Sequence, residues 1–370
     1  MLLEKIALTH FRNLEKLEFS PDQHFNIFFG RNAQGKTNIL EAIYLLAHLK
    51  SFRFTNNEDF IAYNHDFCSV NGLIKNNDVF RNINLSIDKR NKNVKIDGKK
   101  PQTNKEFYGL LRCVIFSPEE VSWLKGYPAA RRAFLDRAIY QSSPLFINVV
   151  IEYNRLLKQR NKLLKDGKND REISPWTEGL IQAGSRIRIE RLKYLNKILP
   201  LLKNTFSRIT EGKEVVDLTF NFSEDSYESL TQLFRDELLK LEPREKSLGQ
   251  TLSGPHRDDP LFLLNGKPIR RFGSQGQLRS FILAFKVAQI MDIEQIIGEP
   301  PVLLLDDMTG ELDDLRQKYL FEFLLQQRAQ VFITTTDITS SFYKKMGNGR
   351  FFMIDNGQIG KIVNSGEIYE

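Results

Sequence analysis

The run Gly30-Arg31-Asn32-Ala33-Gln34-Gly35-Lys36-Thr37 matches G-x-x-x-x-G-K-[ST] at every fixed position. Glycines at both ends let the backbone curl so that successive N–H groups face a phosphate chain. Lys36 would neutralise the β and γ oxygens, and the Thr37 hydroxyl would hold magnesium. A second run, Val302 to Asp307, is four apolar residues followed by two carboxylates. That is the expected end of a buried parallel strand beside a phosphate loop. Asp306 would hold the metal through water and Asp307 would orient the attacking water, so Asp307 and Lys36 are the candidate catalytic residues. Residues 30–38, Asn38 included, are the candidate ATP-binding segment, with ATP and Mg2+ as the implied ligands.

These residues need particular elements behind them. Phe25 to Phe29 reads as an apolar strand running straight into the glycine loop, and Leu3/Ile6/Leu8 and Leu14/Leu17/Phe19 read as two strands before it. After the loop, Ile39, Ala42, Ile43, Leu46 and Ala47 share one helical face, and a helix start directs its dipole at the same phosphate. NINLSID, a basic tip and VKIDG predict a hairpin. Apolar residues at helical spacing from 149 to 202, broken by KDGKNDREISPW, predict an antiparallel helical hairpin. Ser174 and Pro175 suit its second N-cap and first turn, and each arm would be about 35 Å long at 1.5 Å per residue. Strand character returns at 261–269, 301–307, 330–336 and 351–359. The expected fold class is α/β: an ATPase head with a mixed sheet and phosphate-loop helix, split by a mostly helical insertion. The expected boundaries are 1–118, 119–247 and 248–370.

Composition sets the surroundings. The formal charge is +7, and residues 151–200 carry twelve Lys or Arg against six Asp or Glu, which nearly accounts for it. A localised positive surface favours a polyanionic partner such as DNA. Arg131, Arg132, Arg155, Lys158, Arg160 and Lys162 are the candidate phosphate contacts. Two cysteines and five dispersed histidines offer neither a disulfide framework nor metal-ligand spacing. No signal peptide and no run near the roughly 18 apolar residues of a membrane span is evident, so a cytoplasmic location without membrane contact is expected.

Ser274-Gln-Gly276-Gln277 opens an apolar helix, and Gly310-Glu-Leu-Asp313 follows the acidic strand. With the order of the two phosphate-site motifs and the insertion between them, the chain resembles ABC-type ATPases of the SMC class. Within that class it is most similar to the RecF family of bacterial DNA replication and repair proteins. Also carrying this resemblance are THFRNL (9–14), VIFSPEE (114–120), LKGYPAARRAFLDR (124–137), YNRLLKQRNKLLK (153–165) and GPHRDD (254–259).

The resemblance implies a homodimer closed by ATP, in which Ser274, Gly276 and Gln277 of one subunit donate to the γ-phosphate on the other. It further implies binding of gapped DNA at single-strand to duplex junctions, with RecO and RecR as partners in loading RecA. Where many ABC ATPases have Glu, His and Gln, this chain has Asp307, the threonines Thr334 to Thr336, and Ser117. Slow turnover is expected, because water positioning tolerates little displacement.

Three other classes fit less well. A transporter ATPase subunit, the main alternative, would carry an LSGGQ string and lack the basic arm. A fused nuclease needs more than the 57 residues after Asp313. A small-molecule kinase would not separate its two phosphate-site motifs by roughly 270 residues or carry the Ser-Gln-Gly-Gln segment.

Overall fold

The structure, a computed structural model, describes all residues except 54, 77, 223, 308–311, 339–342, 344–348 and 365–370, together with the side chain of 105. The Gly310–Glu311 part of the expected loop after Asp307 lies outside the described residues. The chain forms two compact units, Met1–Glu120 with Arg279–Glu370, and Val121–Leu278.

The first unit begins with β1 (Leu2–Phe11), β2 (Leu14–Phe19), β3 (Phe25–Phe29) and α1 (Lys36–His48), followed by β4 (Phe67–Asn76), β5 (Val79–Asp88), β6 (Lys92–Ile96) and β7 (Cys113–Phe116). Two sheets result. One is antiparallel, β2-β1-β4-β5-β6, and holds the predicted hairpin as β5–β6. Its strands alternate buried and exposed residues, as expected where one face meets a core and the other solvent.

In the second unit, α2 (Glu119–Lys125) leads in from the first, and α3 (Pro128–Ser142), α4 (Phe146–Lys165) and α5 (Asp170–Ile209) follow. Next come β8 (Val216–Thr219), α6 (Tyr227–Leu248), β9 (Leu261–Leu264) and β10 (Lys267–Pro268). The helical hairpin is present, with unequal arms of 20 and 40 residues, the longer about 60 Å at 1.5 Å per residue. Ser174 and Pro175 do not start it. The Asn169 side chain accepts from the Glu172 N–H and caps α5 one turn earlier, leaving Pro175 inside the helix. Gly167, at φ 64°, ends α4 by returning its N–H to Leu164 O and that of Lys168 to Leu163 O. Residues 248–278 group with this unit, because β9 pairs with β8. The second crossing therefore falls at 278/279 and not at the expected 247/248.

The chain then returns through α7 (Gln275–Ile297), β11 (Val302–Asp306), α8 (Asp314–Gln326), β12 (Val331–Thr335), β13 (Gly349–Asp355) and β14 (Gln358–Asn364). These strands complete the second sheet of the first unit, β14-β13-β3-β12-β11-β7, parallel throughout except for β14. β11 and β12 are buried at every residue, as parallel strands covered on both faces are. Helix α1 packs against strands of both sheets, so eleven of its thirteen residues are buried and it has no solvent stripe.

Candidate nucleotide-binding site

β3 delivers the chain to the loop, and two glycines set its shape. Gly30 has φ 147°, and a Cβ there would lie 2.4 Å from Ile354 O on β13; Gly35 has φ 106° and caps α1 in the left-handed region. Ala33 joins them at φ 64°. Arg31, Asn32 and Ala33 are exposed, leaving the loop open on one side. Lys36 spans it, donating to Gly30 O and Arg31 O at 2.7 Å each. An ammonium group has three protons, so one remains for a phosphate oxygen. Burial pushes Lys36 below the usual lysine range, opposed by Asp307 and Asp306.

The base of the site is a chain of hydroxyls. Thr37 donates to Asp306 Oδ1 at 2.7 Å, and Thr334 donates to the same oxygen at 2.8 Å. The Asp307 N–H in turn donates to Thr334 Oγ1 at 3.0 Å, with Asp307 exposed at φ 47°. The parallel register aligns Asp306 with Thr334 and so brings these groups together. Burial raises the pKa of Asp306, against the two hydroxyl donors, with Glu119 adding to the rise. A buried carboxylate held beside a threonine hydroxyl suits a hard cation: Thr37 and Asp306 would hold Mg2+ with its bound waters and substrate phosphates. Of the three threonines in 334–336, Thr334 is engaged with both acidic residues. Thr335 donates to Asp337 O, and Thr336 is exposed.

Groups far apart in sequence brace the loop. Asn13, at the β1–β2 turn, accepts from Asn38 at 2.8 Å and donates to Ala33 O at 3.4 Å. Asn38 also accepts from Arg53, so its side chain is part of this brace. Gln34 accepts from the N–H of Asn356 and, through its carbonyl, from that of Gly357 at 3.0 Å. On α1 the fully buried Glu41 accepts both Nε and Nη2 of Arg12, at 3.0 and 2.8 Å, and also the Ser51 hydroxyl. At the position where a glutamine was expected, Ser117 donates to Glu119, whose carboxylate is felt by Asp306.

The RecF/RecN/SMC N-terminal domain family model matches residues 2–357. The RecF protein of Syntrophotalea carbinolica is 44% identical, over 97% of this chain and 99% of its own length. That of Geotalea uraniireducens is 41% identical, over 97% and 100%. The chain belongs to the RecF family. Two solved structures of the recombination mediator RecF in the RecFOR pathway, designated RecF-ATPrS and RecF-ATP, superpose with TM-scores of 0.87 and 0.88 at 32% and 30% identity. Each alignment spans at least 97% of both chains. An Smc head bound to the C-terminal winged-helix domain of ScpA shares the fold, at TM-score 0.55 and 14% identity.

The remaining residues of the RecF resemblance lie in the second unit or at its edge. Ser274 and Gln277 form a reciprocal cap on α7: Ser274 N–H donates to Gln277 Oε1 at 2.8 Å, and Gln277 N–H to Ser274 Oγ at 3.2 Å. The Gln277 amide also donates to Glu214. Ser274 is exposed, and Gly276 is partly so.

GPHRDD is the hub of this unit. Asp258 accepts Arg188 at 2.8 and 3.0 Å, Asp259 accepts Arg131 at 2.7 and 2.8 Å, and Pro255 O accepts Arg191. The Tyr153 hydroxyl meets His256 Nδ1 at 2.6 Å. Two of the candidate DNA contacts are thereby corrected. Arg131 is 1% exposed and committed to Asp259. Arg160 is 3% exposed and held by Glu245, Thr251 and Thr177. Arg132, half-buried, donates to Asp258 O. Arg155, Lys158 and Lys162 remain exposed along α4. Among the described residues no helix is long and apolar enough to cross a membrane.

Proposed function

We propose that this chain is an ATP-switched DNA-binding protein of recombinational repair and replication, cytoplasmic, with slow hydrolysis. The observation that carries this reading is the hydroxyl chain from Thr37 through Asp306 to Thr334 beneath the glycine loop, in a chain related along its length to RecF proteins. Lys36 neutralises the terminal phosphates, and Asp307, its backbone fixed by Thr334, orients the attacking water. A Mg2+ ion held by Thr37 and Asp306 would supply charge neutralisation at the phosphates.

Ser274 and the first N–H groups of α7 cap the γ-phosphate of a second copy, so ATP closes a homodimer. The exposed Arg155, Lys158 and Lys162 contact duplex DNA at gaps and single-strand to duplex junctions. RecR and RecO are the partners, with RecA loaded downstream. Support comes from the exposed helix cap at Ser274 and from the relatives' place in the RecFOR pathway.

Solution mass against nucleotide state tests the reading. ATP doubles the mass of wild type but not that of Lys36→Ala or Ser274→Arg. A Ser274→Arg protein that dimerises normally rules out capping in trans.

A further inference from the structure

His10, Glu15 and His65 come from three segments that the backbone ties together. Ala62 N–H donates to His10 O and Arg12 N–H to Phe60 O, each at 2.8 Å, while Phe11 bridges to Ile61. Residues 60–62 thus lie along the end of β1. A turn through Asn64, at φ 64°, then brings the His65 N–H onto Ala62 O. On the other side, pairing of Thr9 with Lys16 and of Phe11 with Leu14 brackets His10 and Glu15. The two imidazoles lie face to face, centroids 3.6 Å apart and planes 14° from parallel. Glu15 Oε2 is 3.2 Å from His65 Nε2 and 3.9 Å from His10 Nε2. One ligand atom from each residue lies within 4.8 Å of the other two.

We propose that His10, Glu15 and His65 form a binding site for a borderline divalent transition metal, with zinc as the expected occupant and water in the fourth position. Two imidazoles and a carboxylate are an established zinc ligand set, and metal–ligand distances near 2.0–2.1 Å put tetrahedral neighbours about 3.3 Å apart. The observed separations approach that value. The rings reach an ion between them by rotating about χ2, a torsion with broad minima.

His10 itself is unusual in two respects. Its Nδ1 is buried with no hydrogen-bond partner among the described residues, so no protein acceptor holds the ring against the rotation about χ2 that would turn Nε2 onto an ion. His10 also holds a left-handed backbone, φ 51°, inside a strand, where a non-glycine residue is strained. The nitrogen-containing set differs in preference from the all-oxygen pair Thr37 and Asp306, which favours magnesium. Glu15 is largely exposed, so an ion can enter. The turn between His10 and Glu15 carries Asn13, which braces the glycine loop, so the ion pins that turn from behind.

The test uses full-length, chelator-stripped protein without nucleotide, in excess Mg2+, titrated with Zn2+ by calorimetry and with Co2+ by visible absorption. Wild type takes up one equivalent of Zn2+ and develops the cobalt bands of a low-coordinate site. His65→Ala and Glu15→Gln, at partly exposed positions, melt like wild type in chelator and lose affinity by at least about tenfold. Unchanged affinity in His65→Ala, or uptake by wild type no greater than by the His10→Ala/His65→Ala double variant, overturns the proposal.

Discussion

Thr334 donates its hydroxyl to Asp306 Oδ1 at 2.8 Å while accepting the N–H of Asp307 at 3.0 Å, so one side chain couples the carboxylate proposed to hold the metal to the one proposed to orient water. Thr334→Val keeps the shape and removes the coupling. A hydrogen bond to a charged group is worth about 1.5–3 kcal/mol, so hydrolysis falls about tenfold or more, with kcat affected more than KM. Steady-state assays with and without DNA measure this. Equal loss in KM alone would assign Thr334 to binding.

Asp306 illustrates a conflict between function and stability. Its pKa is raised by burial, so the folded state binds a proton more readily than the unfolded one. From this group, stability falls as pH rises from the ordinary carboxylate range through the raised value. Asp306→Asn, which keeps an oxygen for Thr37 and Thr334, therefore raises the melting temperature of the nucleotide-free protein by a few degrees and abolishes the added stabilisation by Mg2+ and ATP. A lower melting temperature contradicts this.

His256 works in the opposite sense. Burial lowers its pKa to about 4, so the folded state resists protonation. Its stability contribution is complete above about pH 6.5 and declines as pH falls towards 4. Denaturant titrations across that range show a slope for wild type that His256→Phe reduces.

The two kinds of arginine on α4 separate cleanly. Arg160→Ala strands the buried Glu245 and costs about 3–5 kcal/mol, read as a lower denaturation midpoint. Charge reversal at the exposed Arg155, Lys158 and Lys162 leaves that midpoint nearly unchanged. It lowers the log-log salt slope of DNA binding by about 0.9 for each phosphate contact removed. A salt slope identical to wild type removes this face from the DNA site.

Cys68 and Cys113 are buried thiols outside any disulfide, and burial raises both, that of Cys68 to about 12. Neither reacts with a thiol reagent at pH 8 until denaturant is added, because the thiolate is the nucleophile. Labelling of the native protein within minutes would show that one of them opens.

What could be read from the residues alone follows how local each signal is. GRNAQGKT and VLLLDD are contiguous strings whose chemistry and flanking apolar runs sit together, and the structure joins them at Thr37 and Asp306. Asn13 and Asn356 reach the same site from distant parts of the chain, and a lone Asn has no local signature; the sequence marks threonines 334–336 only as a group, and strand register singles out Thr334. Arg131 and Arg160 look like surface charges because burial depends on Asp259 and Glu245, more than 80 residues away in each case. For α5, the stronger local signal at Ser174-Pro175 masked Asn169, whose cap is equally ordinary and one turn earlier. His10 and His65 look unrelated because strand pairing, not spacing, stacks them.

β3 launches the glycine loop, yet both of its neighbours, β12 and β13, come from the last forty residues of the chain, and Ile354 and Gly357 close around Gly30 and Gln34. On the ribosome, then, the loop is made well before the strands that flank it. A nascent chain halted before Gly349 has the whole phosphate motif and none of the hairpin against which it is shaped. The loop's nucleotide-binding shape is therefore expected to depend on residues 349–357, more than 300 positions after the motif itself.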